Sequence, residues 1–217
     1  MKRIIVLFAA LGLLNILGIA QEQGKNYDSD LRENLMFGIK MGLNLSNVYD
    51  SKDQSFSSNP KFGLAAGGFI SVPFTKLIGL QPELLFSQKG FQTTGNFLGG
   101  HYTLTRTSNF IDIPILLALK ATSQITILAG PQYSYLVKET DVFTNSTISI
   151  TDEQQFNNNN IRRNTFCFLG GMDVTLSHLV IGGRVGWDIL DNNGDGTSTT
   201  PRYKNVWYQA TVGYRFF

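Results

Sequence analysis

The sequence predicts an all-β fold, an eight-stranded antiparallel up-and-down transmembrane β-barrel, and three observations lead to this prediction. Apolar and polar residues alternate with a period of two over eight segments of the chain, which is typical of strands with one apolar and one polar face. Long polar connections alternate strictly with short ones, as extracellular loops and periplasmic turns do in such barrels. The chain also begins like a secretory signal.

Residues 1–20 have the three parts of a signal peptide. Lys2 and Arg3 form a positive start, residues 4–17 form an apolar run, and Gly18-Ile19-Ala20 is a small-residue cleavage site, so we expect cleavage near Ala20. The alternative is an N-terminal membrane anchor. The apolar run is, however, shorter than the ~20 residues that a membrane-spanning helix needs.

The rest of the chain divides into residues 21–36, a polar periplasmic lead-in, and residues 37–217, the predicted barrel domain. The first predicted strand covers residues 37–46 and alternates without interruption. The last, residues 205–217, has the same pattern and aromatic residues at both ends of its apolar face. Both termini then lie on the periplasmic side, as an even number of strands requires.

Six further strands follow from the same alternation, and proline interrupts three of them. The predicted strands are residues 61–72, 78–89, 101–119, 125–137, 166–176 and 179–189. The long polar loops are residues 48–60, 92–100, 138–163 and 191–203, and the short turns are residues 73–76, 120–124 and 177–178. Pro82, Pro114 and Pro131 fall inside strands, where proline removes a ladder hydrogen bond, so we expect β-bulges there.

The alternation alone does not say which face points inward. A soluble lipocalin-like barrel would turn its apolar residues inward around an apolar ligand, whereas a membrane barrel turns them toward lipid. The loop asymmetry favours the membrane barrel, and so do aromatic residues at both ends of the strands, which resemble interfacial girdles. The lower set is Phe37, Phe74, Tyr214 and Phe216, and the upper set is Phe62, Phe86, Tyr135, Phe166, Trp187 and Tyr208.

Charge and cysteine content exclude several classes of function. The formal net charge is +2 and falls to zero once Lys2 and Arg3 are removed, so no basic excess favours nucleic-acid binding. Cys167 is the only cysteine and has no partner for an intramolecular disulfide. We expect no cofactor, and outer-membrane lipid as the immediate surroundings.

Ionisable residues collect on the predicted lumen face, four acidic and four basic. They are Lys40, Glu83, Lys89, Asp112, Asp173, Arg184, Asp188 and Arg215. An eight-stranded barrel is filled by side chains, and buried charges must be paired, so these residues predict an interior salt-bridge network. Proton or ion gating is the sharper alternative. Strand neighbourhood predicts the pairs Glu83 with Lys40, and Asp112 with Lys89 or Arg184.

A weak calcium-loop candidate lies in the last long loop. Asp191, Asn193, Asp195 and Gly196 match positions 1, 3, 5 and 6 of an EF-hand loop. Position 12 is Arg202 rather than glutamate, and no helices are predicted on either side. A solvated turn explains the same residues, so no metal is expected.

Enzymatic function has little support in the sequence. A hydrolase at the barrel rim would need a base with a partner, and His101 with Asp188 or Asp191 is the candidate pair. His178 lies in a turn at the opposite end. Since no spacing links these residues, the sequence predicts a non-enzymatic protein.

Five segments together resemble the PorT-like outer-membrane β-barrel family of Bacteroidetes. The segments are FGIKMGLN at 37–44, LQPELLFSQKG at 80–90, IDIP at 111–114, AGPQ at 129–132 and GYRF at 213–216. The resemblance covers nearly all of residues 37–217, and it implies an eight-stranded barrel in the outer membrane with prolines inside its strands. The family's name comes from a component of a secretion and maturation system for exported proteins. The chain departs from the expected ending, because Phe217 follows the last outward position, Phe216.

The sequence therefore leaves two leading functions open. One is a structural barrel, or an accessory to envelope protein export, with secretion-system partners. The other is a recognition or adhesion barrel that binds cell-surface proteins or other ligands through its extracellular loops, chiefly residues 138–163 and 191–203.

Overall fold

The computed structural model describes residues 33–49, 58–97, 100–145, 149–153, 162–192 and 203–216. Within these residues the chain forms nine strands. They are β1 (Met36–Tyr49), β2 (Asn59–Pro73), β3 (Ile78–Phe97), β4 (Gly100–Lys120), β5 (Ile125–Asn145), β6 (Ser149–Glu153), β7 (Asn164–Leu176), β8 (Leu179–Asp188) and β9 (Lys204–Arg215). No helix of these residues is long and apolar enough to cross a membrane.

Eight of the strands close into a ring. Neighbouring strands pair in the order β4-β3-β2-β1-β9-β8-β7-β5, and β4 also pairs with β5. Every pairing is antiparallel, and β9 closes on β1 from Gly38↔Arg215 to Tyr49↔Lys204. The ninth strand, β6, pairs only with the upper part of β5 among the described strands. The predicted eight-stranded up-and-down barrel is confirmed, with β6 as an addition outside the ring.

The apolar face of each strand points away from the barrel axis. Met41 on β1 is 69% exposed, and Leu64 on β2, Leu117 on β4 and Val212 on β9 are also exposed. The intervening residues are buried and mostly polar, and Lys89 is only 1% exposed. An apolar belt outside and a polar lumen inside characterise a membrane barrel, so the lipocalin-like alternative is wrong.

Two of the predicted long loops contain strand segments. Residues 92–100 continue β3 to Phe97 and begin β4 at Gly100, and residues 138–163 include the end of β5 and all of β6. The alternation of apolar and polar residues fades there, while β-branched threonines and aromatics, which favour strands, continue. A prediction based on apolar periodicity therefore stops at the membrane boundary, because only within the membrane does one face of a strand meet lipid while the other meets the lumen.

The predicted short turns are confirmed. In the β2–β3 turn the Thr75 hydroxyl oxygen accepts hydrogen bonds from the amides of Leu77 and Ile78. In the β4–β5 turn the Thr122 hydroxyl oxygen does the same for Gln124 and Ile125. Threonine side chains thus replace backbone acceptors in these turns.

The three strand prolines do not form the predicted bulges. Pro82 lies between the pairs Val72↔Leu80 and Phe69↔Glu83, which share one register. The β3–β4 and β4–β5 ladders likewise lack two residue pairs next to Pro114 and Pro131, and the register is the same on both sides of each gap. The missing amide hydrogen therefore interrupts the ladder locally. The register shifts lie instead between Pro60 and Ala65 and between Asn109 and Phe110.

Several predictions fall outside the described residues. The signal peptide and most of the lead-in lie there, as do residues 154–161 of one predicted loop and residues 193–202 of another. The terminal Phe217 also lies there. These predictions remain predictions.

A packed apolar layer crosses the lumen. Trp207 on β9 is 1% exposed and clusters with Leu116, Leu128, Cys167 and Leu169 from β4, β5 and β7. A Cβ on Gly186 of the adjacent strand β8 would collide with the Trp207 ring. Glycine at that position is therefore what allows the indole to lie flat against the inner wall.

We predict that Gly186→Val destabilises the barrel by about 1–3 kcal/mol, because overpacking forces Trp207 out of its position. Gly183→Val is the matched control on the same strand, since a Cβ at Gly183 points outward and meets nothing within 4 Å. Chemical denaturation of the refolded protein in lipid vesicles, followed by circular dichroism, measures both. Equal midpoints for the two variants would contradict the packing argument.

Candidate functional site

All eight charged residues predicted for the lumen are buried there. Each is 6% exposed or less, and they are placed by the inward positions of β1, β3, β4, β7, β8 and β9. The structure divides most of them between two groups, which we call the lower and upper lumen clusters. A third group, the rim cluster, lies above both.

The lower lumen cluster consists of Lys40, Gln81, Glu83, Asp173 and Arg184. Arg184 donates two hydrogen bonds to the Glu83 carboxylate, at 2.6 and 2.9 Å, and its Nη2 also lies 3.2 Å from Asp173 Oδ2. Lys40 Nζ lies 2.9 Å from Glu83 Oε1, and the Gln81 amide donates to both carboxylates. Two cations therefore balance two anions.

The upper lumen cluster consists of Lys89, Asp112, Cys167, Asp188 and Asn205. Lys89 Nζ lies 3.1 Å from Asp112 Oδ2. The Cys167 thiol donates to Asp188 Oδ1, and the backbone amide and side-chain amide of Asn205 both donate to Asp188 Oδ2. Each carboxylate thus has a donor on at least one oxygen, as burial requires.

Aromatic rings complete the surroundings of the two lysines. Lys89 Nζ lies 3.7 Å from the centroid of the Trp207 ring and 4.8 Å from that of Phe110. Lys40 Nζ lies 4.7 Å from the centroid of Phe69. These cation–π contacts stabilise ammonium groups that have little access to water.

The structure pairs Lys40 with Glu83 and Lys89 with Asp112, as strand neighbourhood predicts. The alternative pair of Asp112 with Arg184 is absent from these contacts, because Arg184 reaches across the lumen from β8 to Glu83 on β3. Arg215 stands apart at the periplasmic end, where its Nη1 donates to the Met36 sulfur.

Sequence reasoning missed the neutral partners Gln81, Asn205 and Trp207. The alternation already placed them at inward positions of β3 and β9, so parity was the available signal. Their chemistry gave no such signal, because amides and an indole become important only through the charges that they contact.

The two lumen clusters and the apolar layer leave a filled interior. Leu85, Leu116, Leu128 and Leu169 are buried alongside the ion pairs. An eight-stranded barrel has room for such side chains but not for a wide aqueous channel. The arrangement favours a plug over a conducting path.

The rim cluster lies beyond the upper aromatic girdle and consists of Phe91, Arg106, Glu139, Asp141 and Tyr203. Arg106 grips the Asp141 carboxylate with two hydrogen bonds, at 2.7 and 2.6 Å, and its Nη1 donates to the Tyr203 hydroxyl oxygen. The Ser108 hydroxyl donates to Glu139, and Phe91 packs edge-on against Tyr203. The cluster closes the barrel mouth on the β3–β5 side.

Burial sets the protonation behaviour of the rim cluster. It raises the pKa of Glu139 above its usual range, although the nearby Arg106 opposes the shift. Burial, with the charge of Glu139, raises the pKa of Tyr203 to about 12. Burial alone would lower the pKa of Arg106, but Tyr203, Asp141 and Glu139 raise it overall, so Arg106 stays charged.

Above the girdle, the ends of β3, β4 and β5 join β6 in what we call the extracellular sheet, residues 91–97, 100–109, 138–145 and 149–153. Its outward face carries rows of short hydroxyl side chains, among them Thr103, Thr105, Thr107 and Thr140. Its other face carries a stacked pair, Tyr102 and Phe143, with ring centroids 5.4 Å apart.

The weaker candidate sites are not assembled by the described residues. His101 lies in β4, paired with Asn96 in the extracellular sheet, while Asp188 is bound within the upper lumen cluster. His178 stacks on Tyr214 at the periplasmic end, with Nδ1 3.0 Å from the Arg215 carbonyl oxygen. For the calcium candidate, Asp191 offers its carbonyl to Arg162, and Asn193 and Asp195 lie outside the described residues.

Comparison with known proteins agrees with this architecture. A family model described as "Outer membrane protein beta-barrel domain" matches residues 19–192. The attachment invasion locus protein Ail of Yersinia pestis, crystallised with the heparin analogue sucrose octasulfate, is 12% identical, with 84% of this chain and 99% of Ail aligned and a TM-score of 0.51. At this identity the likeness shows the fold alone.

Two further solved structures are similar in part. Neisserial surface protein A (NspA) is 8% identical over 85% of this chain and 100% of its own, with a TM-score of 0.48. The outer membrane protein OprG of Pseudomonas aeruginosa is 15% identical over 85% and 97%, with a TM-score of 0.40. No curated protein matches the sequence.

We predict that Arg184→Met destabilises the barrel by about 3–5 kcal/mol, because it leaves Glu83 and Asp173 buried with one cation between them. The double variant Glu83→Gln/Arg184→Met restores most of that loss, since it leaves Lys40 facing Asp173. Lys76→Met is the control, because the Lys76–Glu33 pair is more than half exposed and such pairs are worth at most about 1 kcal/mol. Urea unfolding in lipid vesicles measures all three, and an additive double variant would contradict the network.

We predict that the free energy of unfolding of the wild type, relative to Glu139→Gln, falls as pH rises from about 4.3, the usual carboxyl pKa. Because the pKa of Glu139 is raised in the folded state, the folded protein keeps a proton that the unfolded chain has lost. The decline ends at the folded-state pKa, and glutamine removes it. Unfolding curves of both proteins across pH 4–8 test this, and a difference that rises with pH would show that Arg106 outweighs burial.

Proposed function

The chain belongs to the outer-membrane protein β-barrel domain family, and from that premise we propose that it is a closed, non-enzymatic barrel that recognises a ligand outside the cell through its extracellular sheet. The length of the strands carries this proposal. The strand β8 has 10 residues and ends one residue beyond the girdle residue Trp187, whereas β4 and β5 have 21 residues each.

The extra strand length rises well above the membrane. Ile111 pairs with the girdle residues Phe86 and Tyr135, and from Ile111 to Gly100 β4 continues for eleven residues. At ~3.3 Å per residue and ~40° tilt, this part projects roughly 28 Å. Spanning the bilayer does not require this projection, so it supports a role outside the membrane.

The extracellular sheet offers both a face and an edge for binding. Ile150 on β6 is 56% exposed beside the stacked Tyr102 and Phe143. No described strand pairs with the second edge of β6, and an open strand edge is a template for an added strand of a partner protein. An extended segment of a cell-surface or secreted protein fits this geometry.

The filled lumen also supports the proposed recognition function. With the lower and upper lumen clusters inside, the barrel is better suited to holding the sheet in place than to passing a solute. A histidine in the extracellular sheet and another at the periplasmic turn, each without a nearby described carboxylate partner, likewise favour binding over catalysis.

A role as an accessory to envelope protein export is the second candidate, and it rests on the PorT-like resemblance. The resembling segments 80–90 and 111–114 supply Glu83, Lys89 and Asp112 to the lumen clusters. Barrel stability alone therefore explains these motifs, which lessens the weight they give to an export role.

We predict that shortening the extracellular sheet abolishes recognition and leaves export intact. One variant lacks residues 142–151 and a second lacks residues 94–103, each closed by an Asn-Gly turn. Both should fold, as shown by heat-modifiable migration on gels, and should reduce adhesion of the producing cells to host cells or protein-coated surfaces by about tenfold or more.

The same two variants separate the candidate functions. Secretion of exported proteins should stay at the wild-type level. Lost secretion with unchanged adhesion would favour the export role, and unchanged adhesion with unchanged secretion would rule out recognition by this sheet. Replacing Lys76 at the periplasmic turn is the control that should affect neither.

A further inference from the structure

The lipid-facing surface of β5, β7, β8 and β9, which we call the β5–β9 face, differs from the rest of the barrel. Its upper part holds six aromatic residues, whereas the described outward positions of β1–β4 at that level hold three. The six are Tyr133, Tyr135, Phe166, Phe168, Trp187 and Tyr208, and the three are Tyr49, Phe62 and Phe86. The aromatic belt is therefore concentrated on one side.

The aromatic residues of this face are packed in a fixed arrangement. Phe168 and Trp187 lie with ring centroids 5.3 Å apart, and Tyr133 and Phe166 with centroids 5.6 Å apart. The Tyr133 hydroxyl donates to the Asn164 side chain at 2.6 Å. Together they form a rigid apolar shelf at the level where headgroups meet acyl chains.

Directly above the shelf, the β5–β9 face carries three cations. Lys138 is exposed, and Arg162 and Lys204 are half-buried. Two of these side chains are held in place, because Lys204 Nζ donates to the Ile189 carbonyl oxygen and Arg162 Nε donates to that of Asp191. Among the described residues, the comparable cation of β1–β4 is Lys61, which pairs with the buried Ser46 and so stands at an inward position of β2.

Below the shelf, small residues leave a shallow depression in the same face. Ala129 pairs with Gly170, and Gly183 pairs with Ala210, and a Cβ on either glycine would meet nothing within 4 Å. From Ala210 up to Lys204, β9 rises six residues, roughly 15 Å. A polar head and the first half of an acyl chain span a similar length.

We propose that the β5–β9 face binds a phosphorylated lipid of the outer leaflet. The phosphate lies at the level of Lys138 and Lys204, where cations attract anionic headgroups, and an acyl chain lies on the shelf and in the shallow region beneath it. Cations alone would suit any phosphate. The apolar surface immediately below them selects a lipid.

The test uses the full-length mature protein in zwitterionic detergent, titrated with purified lipid A and followed by native mass spectrometry. The wild type should retain lipid A and should not retain the dephosphorylated form. Lys138→Gln/Lys204→Gln should bind about 30-fold more weakly, as the loss of two cations at an anionic lipid surface implies. Gly170→Leu/Gly183→Leu should also bind more weakly with its charges unchanged.

Matched controls lie on the opposite side of the barrel. Lys61→Gln and Ala66→Leu change a cation and a small lipid-facing residue on β2, and both should bind lipid A like the wild type. If the double lysine variant does not refold to the heat-modifiable form, the single variants replace it, each expected to lose about fivefold.

Three results would overturn the proposal. The first is equal lipid A binding by the wild type and the lysine variants. The second is equal binding of dephosphorylated lipid A, which would show that the phosphate contributes nothing. The third is displacement of lipid A by inorganic phosphate at comparable concentration, which would indicate an anion site without lipid selectivity.

Discussion

The structure depends on one constraint: an eight-stranded barrel in a membrane must place every ionisable residue of its spanning strands in a lumen that side chains fill completely. A charge in that position is tolerated only with partners. Glu83 shows the consequence, since it accepts hydrogen bonds from Lys40 on β1, Gln81 on β3 and Arg184 on β8. Because β3 and β8 are not neighbours in the ring, this carboxylate joins opposite walls.

The same constraint explains what could be predicted from sequence. Strand parity alone assigned Lys40, Lys89 and Arg184 to the lumen, since the alternative was to place charges in lipid. Partners on adjacent strands were also accessible, as for Lys89 on β3 and Asp112 on β4. The contact of Arg184 with Glu83 could not be predicted in this way. It depends on how far the strands are staggered around the ring, which no single segment encodes.

The prediction failed where the constraint no longer operates. Above the girdle both sides of a strand face water or other polar groups, so apolar and polar residues need not alternate, and Thr93, Thr94 and Thr140 look like loop residues although they belong to β3 and β5. Pro82 misled for a different reason. A missing amide was expected to shift the register, but the flanking pairs keep it, since a slip of one residue would turn every lumen charge toward lipid.

The cost of a one-residue slip gives the buried charges a role beyond stability. Buried ion pairs are often no more stabilising than well-packed apolar residues, yet a shift of one position along β3 would expose Glu83 and Lys89 to the membrane at great cost. The lumen clusters therefore enforce one register among strands whose glycine-rich stretches would otherwise pair in several ways. Because β3 and β4 keep one register from the membrane into the extracellular sheet, the register fixed inside the membrane also decides which side chains these two strands present outside it, whereas the shift beside Asn109 moves β5 by one residue.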